Sequence, residues 1–420
     1  MNAQTAGQPG VRRSGADRDD GPMSQAARLL TPAGEELLGL LSGIDVTPDL
    51  ALRLGAELRD RYPADLVAAA LTQQALRVAA KEKFSRAGEM YFTRNGLEQA
   101  SGEQVAAHSA RRFAGLPLVA DLCCGIGGDL TALAAATQRV LAVDTVCSNL
   151  QFATRNAAVY GAFGRVSPVC ADVRDLRLAG IPAAFIDPAR RAGGHRLRTG
   201  DSQPPLSWCV ALADQMKRVC IKAAPGLAHA LIPAGWEAEF VAVGRNLKEA
   251  LLWSPAFAAT PRRATVLPGG ADAVGSHTLI ASSAVLPPVL VRDPGEYLFD
   301  PNPAVTRAGL VAELAHDLGA WQLDPMIAFL SMDRPARTPF ARTLRVVASL
   351  PWREREVAAK LRELGVGTAD IRRRGLAGDV QQIHRRLGLR GDKNATIVLT
   401  RRNDRPWGLI CEPVNTAVVP

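Results

Sequence analysis

The chain has 420 residues, 47% of them hydrophobic, and a formal net charge of +9. This length allows two or three domains that each bury a hydrophobic core. No apolar run approaches the ~20 residues that a membrane span requires, and the N-terminal residues lack the apolar segment of a signal peptide. We therefore expect a folded cytoplasmic protein with no membrane partner.

The seven cysteines are an odd number and show no repeated Cys-x-x-Cys spacing. This pattern predicts neither a disulfide framework nor a zinc site, and we expect no metal cofactor. Cys123 and Cys124 are adjacent in the chain. We interpret them as small residues packed in a turn, with a redox switch as the alternative.

The N-terminal part of the chain passes from a polar tail to a helical pattern. Residues 1–22 are polar and poor in large apolar groups, so we expect a disordered tail. Residues 23–114 are predicted to form a helical domain, because Thr31-Pro32 and Thr47-Pro48 each join an N-cap residue to a proline at the first helical position. Ser101 begins the pattern of a capping box for the last helix of this domain.

Residues 119–128 read Val-Ala-Asp-Leu-Cys-Cys-Gly-Ile-Gly-Gly, an apolar strand that continues into a glycine turn. Gly125, Gly127 and Gly128 allow the backbone to turn sharply and to approach a ligand closely. Apolar residues at helical spacing follow, so the turn opens a helix whose N-terminal amide groups point toward the crevice. The strand, turn and helix together predict a nucleotide-binding pocket.

The charges around the turn indicate which nucleotide binds. Asp121 and Asp129 flank the glycines, and they would repel the pyrophosphate of a dinucleotide. S-adenosylmethionine instead carries a cationic sulfonium and an ammonium group, which carboxylates attract. The next strand ends at Asp144, where a carboxylate can accept hydrogen bonds from both ribose hydroxyls. We predict S-adenosylmethionine as the cofactor, bound also by Cys123; a dehydrogenase and a turn without a ligand are the alternatives.

Two later strands also end in an acid. Asp172 ends the third strand, where it can accept a hydrogen bond from the adenine amine while Val173 presents its backbone amide to the ring. The fourth strand ends at Asp187-Pro188, and Asp187 is also predicted to contact the cofactor, whose nearby positive charge it balances. The alternation of strands and helices over residues 115–286 predicts an α/β domain with a parallel, doubly wound, Rossmann-like sheet.

Residues 189–205 are rich in glycine, arginine and proline, and they are predicted to form a long loop over the strand ends. Their dense positive charge suits contacts with substrate phosphates. A solvated, flexible loop is the alternative. The predicted substrate-binding residues are Arg190, Arg191, Arg196 and Arg198.

Aromatic residues interrupt the helical pattern just before the first strand, at residues 90–94. We predict that Phe92 and Thr93 fold over the cofactor pocket, where Phe92 stacks on a ring and Thr93 donates its hydroxyl. Packing between domains is the alternative explanation.

The last part of the chain carries most of the positive charge. Residues 287–340 are predicted to be a linker with its own helix, and residues 341–420 a small α+β module of ferredoxin-like type. Residues 342–420 hold 16 Lys plus Arg against 8 Asp plus Glu, a surplus of eight positive charges. This surplus favours a polyanionic partner, and we expect RNA; a solvated arginine-rich surface is the alternative.

With these motifs in view, the chain resembles the bacterial class I methyltransferases that end in a THUMP-like domain. The resemblance spans nearly everything after residue 23, and it implies a Rossmann-like sheet followed by a basic THUMP-like module. It rests on Phe92-Thr93 with residues 97–100, on residues 121–128, on residues 186–190 and on residues 376–391.

Residues 91–134 also resemble trimethylguanosine synthase, in which a helical subdomain precedes the sheet and helps to enclose the cofactor and the substrate. This resemblance implies RNA or a nucleotide as the substrate. It also implies that Phe92 and Thr93 line the pocket.

The fourth-strand motif departs from a related pattern. Enzymes that methylate nucleobase amines often show Asp-Pro-Pro followed by an aromatic residue, whereas Ala189 and Arg190 stand at those positions here. We predict that Asp187 and Pro188 accept hydrogen bonds from a substrate amine and aim its lone pair at the methyl group. The main alternative is an RNA-binding or assembly factor that binds the cofactor but transfers no methyl group; a protein or small-molecule methyltransferase is a further one.

Overall fold

The computed structural model describes residues 25–189, 191–192, 195–196, 202–270, 275–376, 378–402 and 404–414. The predicted disordered tail, residues 1–22, lies outside these residues. The described chain forms an N-terminal helical layer, a large first sheet and a smaller second sheet.

The helical layer begins with two helices whose predicted caps are confirmed. The side chains of Thr31 and Thr47 accept hydrogen bonds from the backbone amides of Gly34 and Leu50. Ser101 does not cap the last helix, which begins after Gly102 without a side-chain cap. Among the described residues, the helices before the first sheet are α1 Gln25–Leu29, α2 Pro32–Leu40, α3 Pro48–Leu58, α4 Ala64–Ala80, α5 Arg94–Gln99 and α6 Glu103–Ala110.

The middle of the chain alternates strands with helices. Its strands are β1 Val119–Leu122, β2 Val140–Asp144, β3 Val166–Cys170, β4 Ala183–Ile186, β5 Arg191–Ala192, β6 His195–Arg196, β7 Arg218–Ala223, β8 Glu237–Val243, β9 Asn246–Trp253, β10 Arg262–Leu267 and β11 His277–Ile280. Its helices are α7 Gly128–Ala136, α8 Cys147–Val159, α9 Leu206–Ala211 and α10 Ala213–Met216. Short 3-10 turns span Arg111–Phe113, Val173–Asp175 and His229–Leu231.

In the described chain, nine strands form the first sheet in the order β11-β10-β8-β9-β7-β4-β1-β2-β3. Strand β1 pairs in parallel with both β2 and β4. The strand order therefore reverses at β1, with β2 and β3 on one side and β4 and β7 on the other, and this reversal opens a crevice at the carboxyl ends of the strands. Strand β9 lies antiparallel between β7 and β8. This topology confirms the predicted Rossmann-like α/β fold.

The central strands are apolar because both faces of the sheet are covered. Every residue of β1 and β4 is buried. A parallel sheet with two covered faces needs continuous apolar strands rather than alternating ones. Asp121 is the acidic exception within β1, which makes it a candidate for a functional role.

The second sheet includes a segment that we expected to be a linker. Residues 287–340 contribute three strands to it, so the prediction of a linker with one helix needs correction. Their short strands gave little sequence signal, and Gly309 divides the expected single helix into two. Among the described residues, the strand order is β13-β14-β12-β15-β18-β17-β16. The elements are β12 Tyr297–Pro301, α11 Pro303–Ala308, α12 Val311–Leu318, β13 Trp321–Gln322, β14 Leu330–Met332, β15 Ala341–Pro351, α13 Glu354–Glu363, β16 Val366–Arg373, α14 Val380–Leu387, β17 Lys393–Arg402 and β18 Arg405–Pro413.

The two sheets are joined through the segment that follows β12. The buried Asn302 donates from Nδ2 to the carbonyl oxygen of Gly244, at 2.8 Å. Arg307 donates to the carbonyl oxygens of Pro225 and Leu227, at 2.8 and 2.7 Å. Gly244 follows β8 and Pro225 follows β7, so both contacts lie beyond the carboxyl ends of strands in the first sheet. The second sheet is thus docked at the edge where the crevice opens.

One disulfide bond corrects the prediction from the cysteine pattern. Cys147 and Cys170 are bonded, although 23 residues separate them in the chain. Cys147 begins α8 directly after β2, and Cys170 ends the neighbouring strand β3, opposite Asp144 in the register. Spacing along the sequence did not reveal this pair because only the pairing of β2 with β3 brings the two residues together.

Within the described ranges, no helix is long and apolar enough to cross a membrane. The same residues contain no group of three or more His, Cys, Asp or Glu side chains arranged to hold a metal ion.

Asn156 links the helical layer to the glycine turn. It lies on α8 with no solvent exposure. Its Nδ2 donates to the carbonyl oxygens of Tyr91 and Ile126, both at 2.9 Å, and its Oδ1 accepts from the amide of Tyr91 at 2.7 Å. One buried amide thus holds the aromatic segment against the turn after β1.

Replacing Asn156 with alanine should destabilise the protein by about 3 kcal/mol, because it leaves buried backbone groups without partners. Denaturant unfolding measures this loss. Gln151→Ala, on the exposed side of the same helix, is the matched control and should change stability little. Equal stability of the two variants would contradict the role of Asn156.

Candidate active site

The turn after β1 depends on left-handed backbone conformations, at Cys123 (φ 65°), Gly125 (φ 54°) and Gly127 (φ 88°). A Cβ atom on Gly127 would lie 3.0 Å from the Cα atom of Ala153, so this glycine allows α8 to approach the turn. A Cβ atom on Gly125 would meet no atom within 4 Å. Gly125 therefore faces open space, and its role is at the cavity rather than in packing.

A cavity of about 940 Å³ occupies the crevice. This volume lies within the range of sites for small molecules and cofactors. Eight predicted cofactor residues and the predicted catalytic Pro188 line it, whereas Phe92, Asp121 and Gly127 do not. The lining residues from the prediction are Thr93, Cys123, Gly125, Gly128, Asp144, Asp172, Val173, Asp187 and Pro188.

Asp144 is held in place at the end of β2. Its Oδ2 accepts from the amide of Gly125 at 2.9 Å, and its Oδ1 accepts from the amide of Val146 at 2.9 Å. Each carboxylate oxygen has a second lone pair. Asp144 can therefore accept two hydroxyl groups of a ligand without losing its backbone contacts.

Asp172 also lines the cavity, but its carboxylate has a protein partner. Arg174 Nη2 lies 2.5 Å from Asp172 Oδ2. The hydrogen bonds from Arg174 lower the pKa of Asp172, so this acid stays charged. Val173 follows as a buried residue at the same wall of the cavity.

The structure does not support stacking of Phe92 on a ligand ring. Phe92 is 1% exposed and packs in a small core with Phe84, at 5.8 Å between ring centroids, and with Ile126. Burial beneath the turn removes more apolar surface from water than an open cavity wall would. Thr93 does reach the cavity, and its hydroxyl oxygen accepts from the amide of Gly96 while its proton remains able to donate.

Asp121 lies behind the cavity with both carboxylate oxygens lacking a hydrogen-bond partner among the described residues. It is 1% exposed. Burial, and then the nearby Asp129 and Asp187, raise the pKa of Asp121 well above its ordinary value. A buried acid without a donor is costly unless a ligand supplies one. This acid fits the cationic groups of S-adenosylmethionine.

Lys222, on β7, is a site residue that the sequence prediction missed. Its ammonium group is 2.6 Å from Asp187 Oδ2, 3.0 Å from Asp129 Oδ2 and 4.0 Å from Glu249 Oε2. Only 5% of its side chain is exposed. Burial alone lowers the pKa of Lys222, but the three acids outweigh it and hold the pKa above its ordinary value. Lys222 therefore stays protonated and fixes the position of Asp187.

Ser101 and Glu249 complete this buried cluster. Ser101 Oγ accepts from Lys222 at 2.6 Å and donates to Asp129 at 3.1 Å. Burial raises the pKa of Glu249, which Lys222 only partly opposes. A signal for Lys222 was present in the sequence, since a lysine inside an apolar strand is rarely buried without a partner. Nothing local identified Ser101, whose position matched a helix cap equally well.

Of the four predicted substrate arginines, two fall among the described residues and two do not. Arg190 and Arg198 lie outside the described residues. Arg191 and Arg196 are opposite each other in the two-residue strands β5 and β6. Their role in phosphate binding stays a prediction.

Comparisons with known families match three parts of the chain. The family described as RNA cap guanine-N2 methyltransferase matches residues 117–219. The family described as THUMP domain-like matches residues 341–413. A domain family of unknown function matches residues 22–80.

Two relatives and one solved structure are similar to most of the chain. An uncharacterised S-adenosylmethionine-dependent methyltransferase of Mycobacterium tuberculosis (strain H37Rv) is 36% identical over 324 residues, which cover 74% of this chain and 84% of that protein. Its counterpart in strain CDC 1551 / Oshkosh matches to the same extent. A solved structure from Porphyromonas gingivalis W83, described as a methyltransferase, has a TM-score of 0.70 and 19% identity, covers 89% of this chain and 100% of that chain, and shares the fold. The chain belongs to the S-adenosylmethionine-dependent methyltransferases and carries a THUMP-like C-terminal domain.

Proposed function

We propose that this methyltransferase transfers a methyl group to a nucleobase amine of RNA or of a guanine-type nucleotide. The observation that carries this proposal is the position of Asp187-Pro188, which lines the same cavity as Asp144 and Asp172. A hydrogen-bond acceptor for an amine thus lies beside the predicted cofactor contacts.

The family matches support RNA or a guanine-type nucleotide as the methyl acceptor. The family described as RNA cap guanine-N2 methyltransferase covers β1 to the start of β7, and these elements carry most residues of the cavity wall. The THUMP-like domain and the surplus of positive charge in residues 342–420 support an RNA substrate.

The roles of the protein groups follow from their positions. When bound, the cofactor supplies a methyl group on a sulfonium, which is a good leaving group, so the protein mainly has to orient the acceptor. Lys222 holds Asp187 in position. The side chain of Asp187 is 27% exposed and lines the cavity. In our proposal Asp187 accepts a hydrogen bond from the substrate amine and so directs the nitrogen lone pair. Pro188 restricts the backbone beside it.

The buried charges favour a cationic donor. Lys222 contacts Asp129, Asp187 and Glu249, and Asp121 lies nearby without a hydrogen-bond donor among the described residues. With Lys222 balancing only one of Asp129 and Asp187, the negative potential that remains complements a sulfonium and an ammonium group, and these groups favour the ionised form of Asp121. It would oppose a phosphate at the same place, so phosphate contacts belong to the rim of the crevice.

A second function is an RNA-binding factor with little transfer activity. The departure from Asp-Pro-Pro-aromatic, with Ala189 and Arg190 after Pro188, favours it, because no aromatic side chain of this motif can hold the base. The two functions differ in whether labelled methyl groups appear in RNA.

Purified protein should be incubated with labelled S-adenosylmethionine and RNA from a strain that lacks its gene, and nucleosides should be analysed by mass spectrometry. We expect one methylated nucleoside to appear that wild-type RNA already contains. Binding of RNA without transfer would favour the second function.

Asp187→Asn should reduce the rate of methyl transfer by at least about 100-fold, because the substrate amine loses the carboxylate that orients it. The affinity for S-adenosylmethionine should change little, as measured by calorimetry. Asp214→Asn, an exposed acid on α10, is the matched control. Full transfer activity in the Asp187 variant would remove this residue from the mechanism.

Cofactor affinity should rise with pH. Burial and the nearby acids raise the pKa of Asp121 in the free protein, and a bound cation lowers it again, so binding releases a proton at pH values between the two pKa values. The affinity for S-adenosylmethionine therefore increases as the pH rises toward the pKa that Asp121 has in the free protein. Calorimetry in two buffers of different ionisation enthalpy counts the protons.

Asp121→Asn should abolish this proton release and weaken binding by about tenfold. Asp144→Asn is the control: it should weaken binding through the lost ribose contacts and still release the proton. Identical proton release in wild type and Asp121→Asn would contradict the role of Asp121.

A further inference from the structure

Four arginines and two aspartates meet where the second sheet contacts the first. The turn between β8 and β9 contributes one arginine, and the second sheet contributes the other five residues. We call them the junction cluster. Its members are Arg245, Arg342, Arg372, Arg374, Asp300 and Asp370.

Each aspartate of the junction cluster is shared by two guanidinium groups. Asp300 Oδ2 is 2.6 Å from Arg245 Nη2, and Asp300 Oδ1 is 2.9 Å from Arg374 Nη2. Within these three residues, one positive charge is left without a counter-charge.

The same arrangement occurs at the other aspartate. Asp370 Oδ2 is 3.2 Å from Arg342 Nη1 and 2.9 Å from Arg372 Nη2. A second positive charge is therefore left over, and the junction cluster has a net charge of two.

The four guanidinium groups are close enough to repel one another. Burial lowers the pKa of Arg245, and Arg372, Arg342 and Arg374 lower it further against the attraction of Asp300. Their side chains are 25 to 43% exposed. The surplus charge is thus concentrated and accessible to a ligand, which is the arrangement that binds anions.

The second sheet places these groups on one face. Asp300 and Arg342 are direct partners across β12 and β15. Asp370 pairs with Thr396 across β16 and β17, and Arg342 donates to the hydroxyl of Thr396 at 3.1 Å. Side chains on one face of a sheet alternate with those on the other, so Arg372 lies on the same face as Asp370.

The junction cluster lies at the edge of the first sheet where the cavity opens. Arg245 follows the carboxyl end of β8, and Asp187 follows the carboxyl end of β4. Strands β7 and β9 separate β4 from β8 in the sheet. With about 4.8 Å between neighbouring strands, the lateral separation is on the order of 14 Å. A polymer that reaches the cavity with one residue can contact the junction cluster with its neighbours.

We propose that the junction cluster binds phosphodiester groups of an RNA strand whose target nucleotide enters the cavity. This inference rests on the proposed function and adds the surface that holds the substrate. Guanidinium groups match phosphate oxygens in a bidentate geometry, and phosphate contacts position a nucleic acid without reading its sequence.

The four arginines differ in how far they serve the fold. Arg245 and Arg374 also donate to the backbone carbonyl oxygens of Asp300 and Pro301, so their loss would disturb the packing of β12. Arg342 and Arg372 contact side chains in the described structure. The test therefore uses these two residues.

The double variant R342Q/R372Q should bind a fluorescent, short, random-sequence RNA at least about tenfold more weakly. The slope of log affinity against log salt concentration should fall by about 1.4, because two phosphate contacts to a single strand are lost. Its affinity for S-adenosylmethionine and its melting temperature should match wild type. The control is R345Q/R353Q, whose arginines form exposed ion pairs elsewhere on the same domain.

Asp370→Asn provides a test in the opposite direction. It removes a counter-charge from the junction cluster, so RNA should bind more tightly and with a steeper salt dependence. A purely structural role of these ion pairs predicts weaker binding or no change, and either result would overturn the proposal.

Binding of a free guanosine nucleotide tests whether the junction cluster binds the phosphates of an RNA strand or the phosphate of a single nucleotide. We expect R342Q/R372Q to bind it like wild type, and a parallel loss of nucleotide and RNA affinity would overturn the assignment to an RNA strand. Unchanged RNA affinity and salt slope in the folded double variant would also overturn the site, even if RNA is methylated. RNA binding that depends on the junction cluster without any methyl transfer would refute the proposed function and leave the site standing.

Discussion

The buried ammonium group of Lys222 is the interaction on which the site depends. Removing an ion from water costs several kcal/mol, and this cost is met only when partners of opposite charge are held nearby. The partners come from three different elements: Asp129 from α7, Asp187 from the end of β4 and Glu249 from β9. One ammonium group therefore links the turn after β1, the proposed catalytic motif at the end of β4 and the antiparallel strand β9.

Hydrogen bonds to the site also explain why a helical layer precedes the first sheet. Asn156 ties the aromatic segment to the turn, and Ser101 joins the cluster around Lys222 from the chain before α6. Of the two residues predicted to line the pocket, Phe92 packs beneath the turn and Thr93 reaches the cavity. The layer is thus part of the wall of the site and not an independent appendage.

The second sheet, which includes the THUMP-like domain, is docked at the edge of the first sheet where the cavity opens. Asn302 and Arg307 fix it through hydrogen bonds to backbone carbonyl groups, which a flexible linker would not do. Many basic side chains of this domain are engaged in ion pairs with nearby acids, so net charge alone overstates the free positive surface. The surplus remains where one acid serves two arginines, as Asp300 and Asp370 do.

The sequence by itself determined the Rossmann-like fold, the cofactor and nine of the residues that line the cavity, because these depend on a local pattern: a strand, glycines and an acid at a strand end. Only the tertiary structure decided which groups act together. Lys222 meets Asp187 and the cysteines at 147 and 170 meet each other because strands distant in the chain become neighbours in the sheet. The segment 287–340 likewise became part of a sheet through pairing with later strands, and no local pattern encodes such pairing.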